Sequence, residues 1–116
     1  MEHTMNLRPK PFSMIKSGKK TIELRLYDEK RQKIRVGDTI RFINGENAND
    51  ELLTKVTELY IFENFDALYK NLPLPECGYT EENVAAASAN DMNIYYLPEA
   101  QARFGVVGIR IEVIKK

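Results

Sequence analysis

The alternation of apolar and polar residues is the clearest structural signal along this chain of 116 residues. Alternation over residues 21–27 predicts a strand, because successive side chains of a strand point to opposite faces. Ile22 and Leu24 then share the face that meets the core. Glu23 and Arg25 lie on the other face, which is either solvated or part of a site. The same pattern predicts three further strands, over residues 39–43, 51–62 and 105–114.

Capping and turn residues predict short helices between these strands. The segment RPKPFSMIKSG, residues 8–18, begins with prolines that suit a first helical turn and ends at Gly18, a typical left-handed stop. Asn64 is a candidate cap for a second helix. Weaker helices are predicted from Thr80 onward and over residues 91–103.

The order of these elements predicts an α+β fold. Several strands separated by short helices, without regular βαβ alternation, favour a small mixed barrel over a doubly wound sheet. The chain length suits a single domain over residues 1–116, since domains most often hold about 100 to 150 residues.

The scarcity of histidine, cysteine and clustered glycine excludes several kinds of site. The single histidine, His3, lies in a terminus that we expect to be frayed, so catalytic triads and histidine-ligated metals lack their central residue. The six glycines form no phosphate-binding loop. We therefore expect no metal and no cofactor. Acid–base chemistry would fall to Lys, Glu, Asp or Tyr.

Cysteine content and hydropathy indicate the compartment. Lone Cys77 has no partner for a disulfide, which suits a reducing environment. The first residues, MEHTMN, hold no apolar segment typical of a signal peptide. No apolar run approaches the ~18 residues that cross a bilayer. We expect a cytoplasmic protein without a membrane partner.

Charge is unevenly distributed although the formal net charge is zero. Residues 7–41 hold eleven Lys or Arg against four acidic residues, and residues 42–104 hold three against eleven. The basic part would attract phosphate if it formed a separate surface. Alternatively, the strands of the two parts pair and their charges mix. Composition thus permits an RNA partner without requiring one, and nothing indicates specificity for DNA.

One motif carries a family resemblance. GKKTIELR at residues 18–25, followed by a Gly-Asp pair at 37–38 and by YYLPEAQARFGVVGIRI near the end, resembles the ASCH family, relatives of the PUA RNA-binding barrel. The resemblance spans nearly the whole chain. It implies a PUA-like, mixed, largely antiparallel β-barrel with short helices at its rim and a cleft near the basic motif. Family members are proposed to bind RNA or to act on modified nucleosides.

The resemblance also implies candidate catalytic residues. In the branch similar to N4-acetylcytidine amidohydrolases, a lysine works with a threonine three residues later and with a downstream glutamate. Lys20 matches that lysine, whereas Glu23 stands at the threonine position. Glu82 is the candidate for the downstream glutamate, with neighbouring Glu81 as an alternative. Both are equally explained as acidic residues in the first turn of a helix.

Candidate ligand-binding residues come from the same motif and from a tyrosine pair. Aromatic rings are platforms on which bases stack, although packing of at least one ring in the core is the competing interpretation. The candidates are Lys19, Lys20, Thr21, Glu23, Arg25, Tyr95 and Tyr96.

Three functions remain open from the sequence: a module that binds RNA or a modified nucleoside, a metal-independent amidohydrolase, and a regulatory domain that binds a protein. The charge of Lys20 distinguishes the first two. A carboxylate within ~4 to 6 Å favours the protonated amine, which is a poor base and a poor nucleophile. Pairing of Lys20 with Glu23 would therefore favour binding over hydrolysis.

Overall fold

The computed structural model describes residues 1–115, which form a five-stranded sheet and several short helices. The strands are β1 (Glu2–Leu7), β2 (Ile22–Leu26), β3 (Thr39–Asn44), β4 (Asn47–Phe62) and β5 (Val106–Lys115). The α-helices are α1 (Pro9–Lys16), α2 (Phe65–Asn71) and α3 (Pro98–Phe104). Short 3₁₀ helices occur at Arg31–Lys33, Leu74–Cys77, Val84–Ala86 and Ala89–Ile94.

The sheet is mixed and curls into a half-barrel. Its strand order is β1-β3-β4-β5-β2, with β1 parallel to β3 and every other pair antiparallel. The first and last strands in this order are the edges. The Arg25 side chain on β2 reaches across to β1, where its Nη2 donates to the carbonyl oxygen of Asn6 at 3.1 Å. The predicted α+β, PUA-like and largely antiparallel architecture is confirmed.

The N-terminal segment is a strand, so the prediction of a frayed terminus around His3 is wrong. Residues of β1 pair in parallel register with β3, and Met5 and Leu7 are buried in the core. His3 Nε2 lies 2.8 Å from Asp38 Oδ2. This contact, together with a bond from the backbone N–H of Arg35, lowers the pKa of Asp38 to about 2. Long-range pairing and one side-chain contact therefore order the terminus.

Two apolar clusters lie on opposite faces of the sheet. The inner cluster joins α1 to the concave face and includes Phe12 and Phe42. The outer cluster packs α2 against Ile22 and Leu24 of β2. Because both faces are covered, β2 is buried on each side, and Glu23 is only 3% exposed. The interpretation of Glu23 as part of a solvated surface pair is therefore wrong.

Local chemistry explains the helix boundaries. Helix α1 ends before Gly18, whose φ of +82° is a left-handed conformation that favours glycine. Helix α2 begins after Asn64, whose side chain accepts from the backbone N–H of Ala67 at 2.9 Å, as predicted for a cap. The predicted helix over residues 91–103 is divided, because Pro98 starts a new first turn in α3.

The segment from residue 78 to 97 forms turns and 3₁₀ helices, and we call it the cap; its Met92 and Tyr96 pack against the cluster that contains Ile22 and Leu24 of β2. The weak helix predicted from Thr80 is reduced here to one 3₁₀ turn, Val84–Ala86. A second turn, Ala89–Ile94, starts with a capping box between Ser88 and Asp91. None of the helices in the described range is long and apolar enough to cross a membrane.

Candidate functional site

Lys20 lies in the turn between α1 and β2, where it escapes the side-chain alternation of the strand. Its backbone N–H donates to the carbonyl of Met14 at 3.1 Å, so the residue belongs to the end of the helical turn. The side chain can therefore reach the face of β2 that carries Glu23. Its Nζ lies 2.8 Å from Glu23 Oε1. The structure thus brings together two residues that strand alternation alone would separate.

Glu23 is a buried carboxylate held between two cations. Its second oxygen, Oε2, accepts from Arg25 Nε at 2.8 Å. Burial works against the ionised form, yet the charges and hydrogen bonds of Lys20 and Arg25 outweigh it, and the pKa of Glu23 lies below its usual value. The carboxylate is therefore ionised at neutral pH. We call Lys20, Glu23 and Arg25 the buried triad.

Arg25 connects the triad to the opposite edge of the sheet. Burial lowers the pKa of its guanidinium, but the Glu23 carboxylate more than compensates and the pKa is raised. Its Nε binds Glu23 while its Nη2 binds the carbonyl of Asn6. The planar Arg25 side chain therefore provides a counter-charge for Glu23 and also links the two edge strands, β1 and β2.

The buried triad lines a cavity of about 840 Å³ beside the free edge of β2. One wall comes from the start of α1 with the exposed cations Arg8 and Lys10, and the other comes from α2 and the cap. The second wall carries four tyrosines, namely Tyr69, Tyr79, Tyr95 and Tyr96. The cavity thus combines charged groups near β2 with aromatic rings opposite them.

Two of these tyrosines form a hydrogen-bonded network with the cap. The hydroxyls of Tyr69 and Tyr79 lie 2.7 Å apart, and Tyr79 donates to Asp91 Oδ2 at 2.6 Å. Burial is the main cause that raises the pKa of both phenols, so both stay neutral. The network ties the cap to α2. Its members are ten or more residues apart in the chain, so no local sequence pattern indicates the network.

The predicted tyrosine pair divides between two roles. Tyr96 is half-buried and stacks on Phe65 with ring centroids 5.8 Å apart at 22°. Burial raises the pKa of its hydroxyl. Tyr95 is 54% exposed, and the Arg8 guanidinium lies 5.0 Å from its ring centroid. Core packing therefore applies to Tyr96, whereas Tyr95 remains accessible to a ligand.

Three other predicted residues lie outside the cavity lining. Lys19 is exposed. Thr21 donates its hydroxyl to Glu76 Oε1 at 2.8 Å, a contact that anchors the start of β2. Glu82 is exposed in a turn before the Val84–Ala86 segment, so the structure does not bring it to Lys20. In the described part of the chain, the carboxylate that meets Lys20 is Glu23.

Cys77 and Gly78 complete the wall near Lys20. Burial raises the pKa of the Cys77 thiol to about 11, so it is not a thiolate nucleophile at neutral pH. Gly78 has a φ of +109°, and a Cβ there would lie 3.4 Å from Cδ of Lys20. Glycine therefore lets the backbone turn closely over the lysine stem. Within residues 1–115, no three His, Cys, Asp or Glu side chains are grouped to hold a metal ion.

Comparison with known proteins identifies relatives of this chain. A family model for the ASCH domain matches residues 5–115. The curated proteins include no match to this chain. The crystal structure of hypothetical protein PH0355 is 32% identical, with a TM-score of 0.81 over 98% of this chain and 100% of that one. The solution structure of PF0455 from Pyrococcus furiosus is 30% identical, with a TM-score of 0.76 over 100% of both chains.

A more distant structure shares the fold. The crystal structure of ASCH from Zymomonas mobilis is 15% identical, and its TM-score is 0.63 over 96% of this chain and 66% of that one.

Proposed function

We propose that this chain, which belongs to the ASCH domain family, binds RNA or a modified nucleoside in the cavity beside β2. The observation that carries the proposal is the buried triad, which borders a cavity whose opposite wall is aromatic. Charged groups that are costly to bury are then placed where a polar, planar ligand would meet them.

The size and lining of the cavity suit a nucleoside. Its volume of about 840 Å³ falls within the range of small-molecule sites. Arg8 lies over one face of the exposed Tyr95 ring, so the other face is the one offered for stacking and a cation lies close to it. Lys10 adds a second exposed cation to the same wall. These cations suit the phosphates of a strand that continues beyond the bound base.

The buried triad keeps hydrogen-bonding capacity for a ligand. The Lys20 ammonium has three donors and uses one of them on Glu23. Each Glu23 oxygen accepts one bond and retains a lone pair. The triad therefore presents both a donor and an acceptor, which is what recognition of a base edge requires.

The same geometry favours binding over hydrolysis. An amidohydrolase mechanism needs Lys20 as a neutral amine or as an activating base. Glu23 is ionised and lies 2.8 Å from that amine, so Lys20 is engaged in an ion pair instead of being free to act on a substrate. Hydrolysis of N4-acetylcytidine stays the second candidate, because Lys20 and a carboxylate do meet in a cavity of suitable size.

The test compares two adjacent lysines of one motif. Lys20→Met and Lys19→Met each remove one positive charge, but only Lys20 lines the cavity. Cytidine, N4-acetylcytidine and a short single-stranded RNA are titrated at two salt concentrations. We expect Lys20→Met to weaken nucleoside binding about tenfold or more, since a hydrogen bond to a charged group contributes ~1.5 to 3 kcal/mol. Lys19→Met should bind nucleosides as the wild type does.

The products of the same incubations are followed by chromatography. Release of acetate from N4-acetylcytidine that disappears in Lys20→Met would establish the amidohydrolase instead. Absence of binding to every nucleoside and to RNA would contradict the proposal and leave a protein ligand as the surviving function.

A further inference from the structure

The free edge of β2 carries backbone groups that point away from the sheet. In an antiparallel pair, both groups of every second residue face the partner strand, and those of the residues between them face outward. Ile111 N–H donates to Thr21 at 2.9 Å and Tyr27 N–H donates to Gly105 at 3.0 Å. With the β2–β5 register, these bonds place the odd-numbered residues toward β5. The N–H and C=O of Leu24 therefore face the outer edge.

Leu24 is also the residue of this edge that lines the cavity. Its neighbours on the same edge, Ile22 and Leu26, are not part of the lining. Leu24 is buried, and no turn or loop backbone group within residues 1–115 pairs with its N–H or C=O. A buried backbone donor and acceptor that lack a protein partner are unusual, because such groups cost free energy unless something binds them.

We propose that the N–H and C=O of Leu24 read the Watson–Crick edge of an unpaired nucleobase. This inference rests on the proposed function and adds the part of the ligand that is recognised. The two groups of one extended residue offer a donor beside an acceptor. Each common base presents the complementary pair on its Watson–Crick edge, and single-stranded RNA is recognised through such edges. A base within a duplex has this edge occupied and would be rejected.

The surroundings of Leu24 favour a base over an added peptide strand. Both occupants would bond to the strand edge, but a peptide would have to run along several residues of β2. The Arg25 side chain crosses from β2 to the carbonyl of Asn6 and obstructs that path. A planar base needs one residue of the edge only. The cavity also supplies tyrosine rings that a base would contact.

The test uses ligand variants, so that no substitution disturbs the fold. The four common ribonucleosides are titrated calorimetrically into the wild-type protein, each paired with its derivative methylated on the Watson–Crick edge, such as uridine with 3-methyluridine. The methyl group removes one hydrogen bond and sterically blocks the other, which predicts binding about 30-fold weaker for the methylated form of the base that binds best. In ¹⁵N NMR spectra, the Leu24 amide should shift on binding, with Ile22 and Leu26 as controls that shift less.

The outcomes separate this inference from the proposed function. Equal affinity for a nucleoside and its methylated form, with the Leu24 amide unmoved, would overturn the inference while leaving the cavity as a nucleoside site. Failure of every nucleoside and of single-stranded RNA to bind would overturn both. Equal shifts of the Ile22, Leu24 and Leu26 amide signals on addition of an extended peptide would identify a peptide strand as the occupant. That result would overturn the inference.

Discussion

Two ion clusters of three residues each, one centred on Arg41 and one on Glu23, differ in how far they are exposed to solvent. Near β1, Arg41 pairs with Glu2 at 3.2 Å and with Glu51 at 2.6 Å, and its side chain is 33% exposed. At β2, Glu23 pairs with two cations at 2.8 Å each, and its side chain is 4% exposed. The pairing distances are similar, so the clusters differ mainly in how much solvent surrounds their charges.

This difference indicates which cluster has a function beyond stability. Water and salt screen the cluster of Arg41, and such surface pairs contribute little. The buried triad loses several kcal/mol of hydration for each ion, and apolar residues of the same volume would often stabilise a fold as well or better. Its place beside a cavity therefore favours a role in ligand recognition. In the cluster of Arg41, a cation from the basic part of the chain, residues 7–41, pairs with Glu51 from the acidic part, residues 42–104.

Removing the carboxylate from the buried triad should lower the stability of the fold more than any other change proposed here. Glu23→Gln leaves Lys20 and Arg25 as buried cations without a counter-charge. We expect the free energy of unfolding to fall by about 3 to 5 kcal/mol, the cost of breaking a buried pair. Urea unfolding followed by circular dichroism measures it. Glu51→Gln is the matched control and should leave the unfolding midpoint unchanged; equal losses in both variants would remove the distinction between the clusters.

A smaller effect is expected from acid. The pKa of Glu23 is lowered in the folded protein, whereas an unfolded glutamate titrates near ~4.3. The triad therefore stabilises the fold above that unfolded value and loses this contribution as pH falls through the folded pKa. The stability difference between wild type and Glu23→Gln should narrow when unfolding is measured at pH 3 instead of pH 7. A difference that stays constant would mean that folding does not lower the pKa of Glu23.

Sequence patterns predicted most of the sheet but not its parallel edge. Strands β2 to β5 alternate clearly enough to be located, and Asn64 and Gly18 marked helix boundaries. β1 was missed because only Met5 and Leu7 mark its buried face. Its order also depends on pairing with β3 more than thirty residues away, which no local pattern reveals.

The site was predictable where it is local in sequence. The motif places Lys20, Glu23 and Arg25 within six residues of each other, and in the structure the turn before β2 lets Lys20 reach Glu23. The tyrosine wall was not predictable in full, because Tyr69 and Tyr79 meet only after α2 and the cap have packed. The outward direction of the Leu24 backbone likewise follows from strand order and not from residue type.

Ligand binding beside the buried triad is tested most directly by mapping ligand contacts around both ion clusters. Backbone amides of the ¹⁵N-labelled protein are followed while a short single-stranded RNA and the tightest-binding nucleoside are added in turn. We expect the shifts to cluster in residues 20–25 and in the cap, while the amide signals around Arg41 stay unchanged. Shifts centred on Arg41, or spread evenly over the basic residues of the surface, would contradict this expectation.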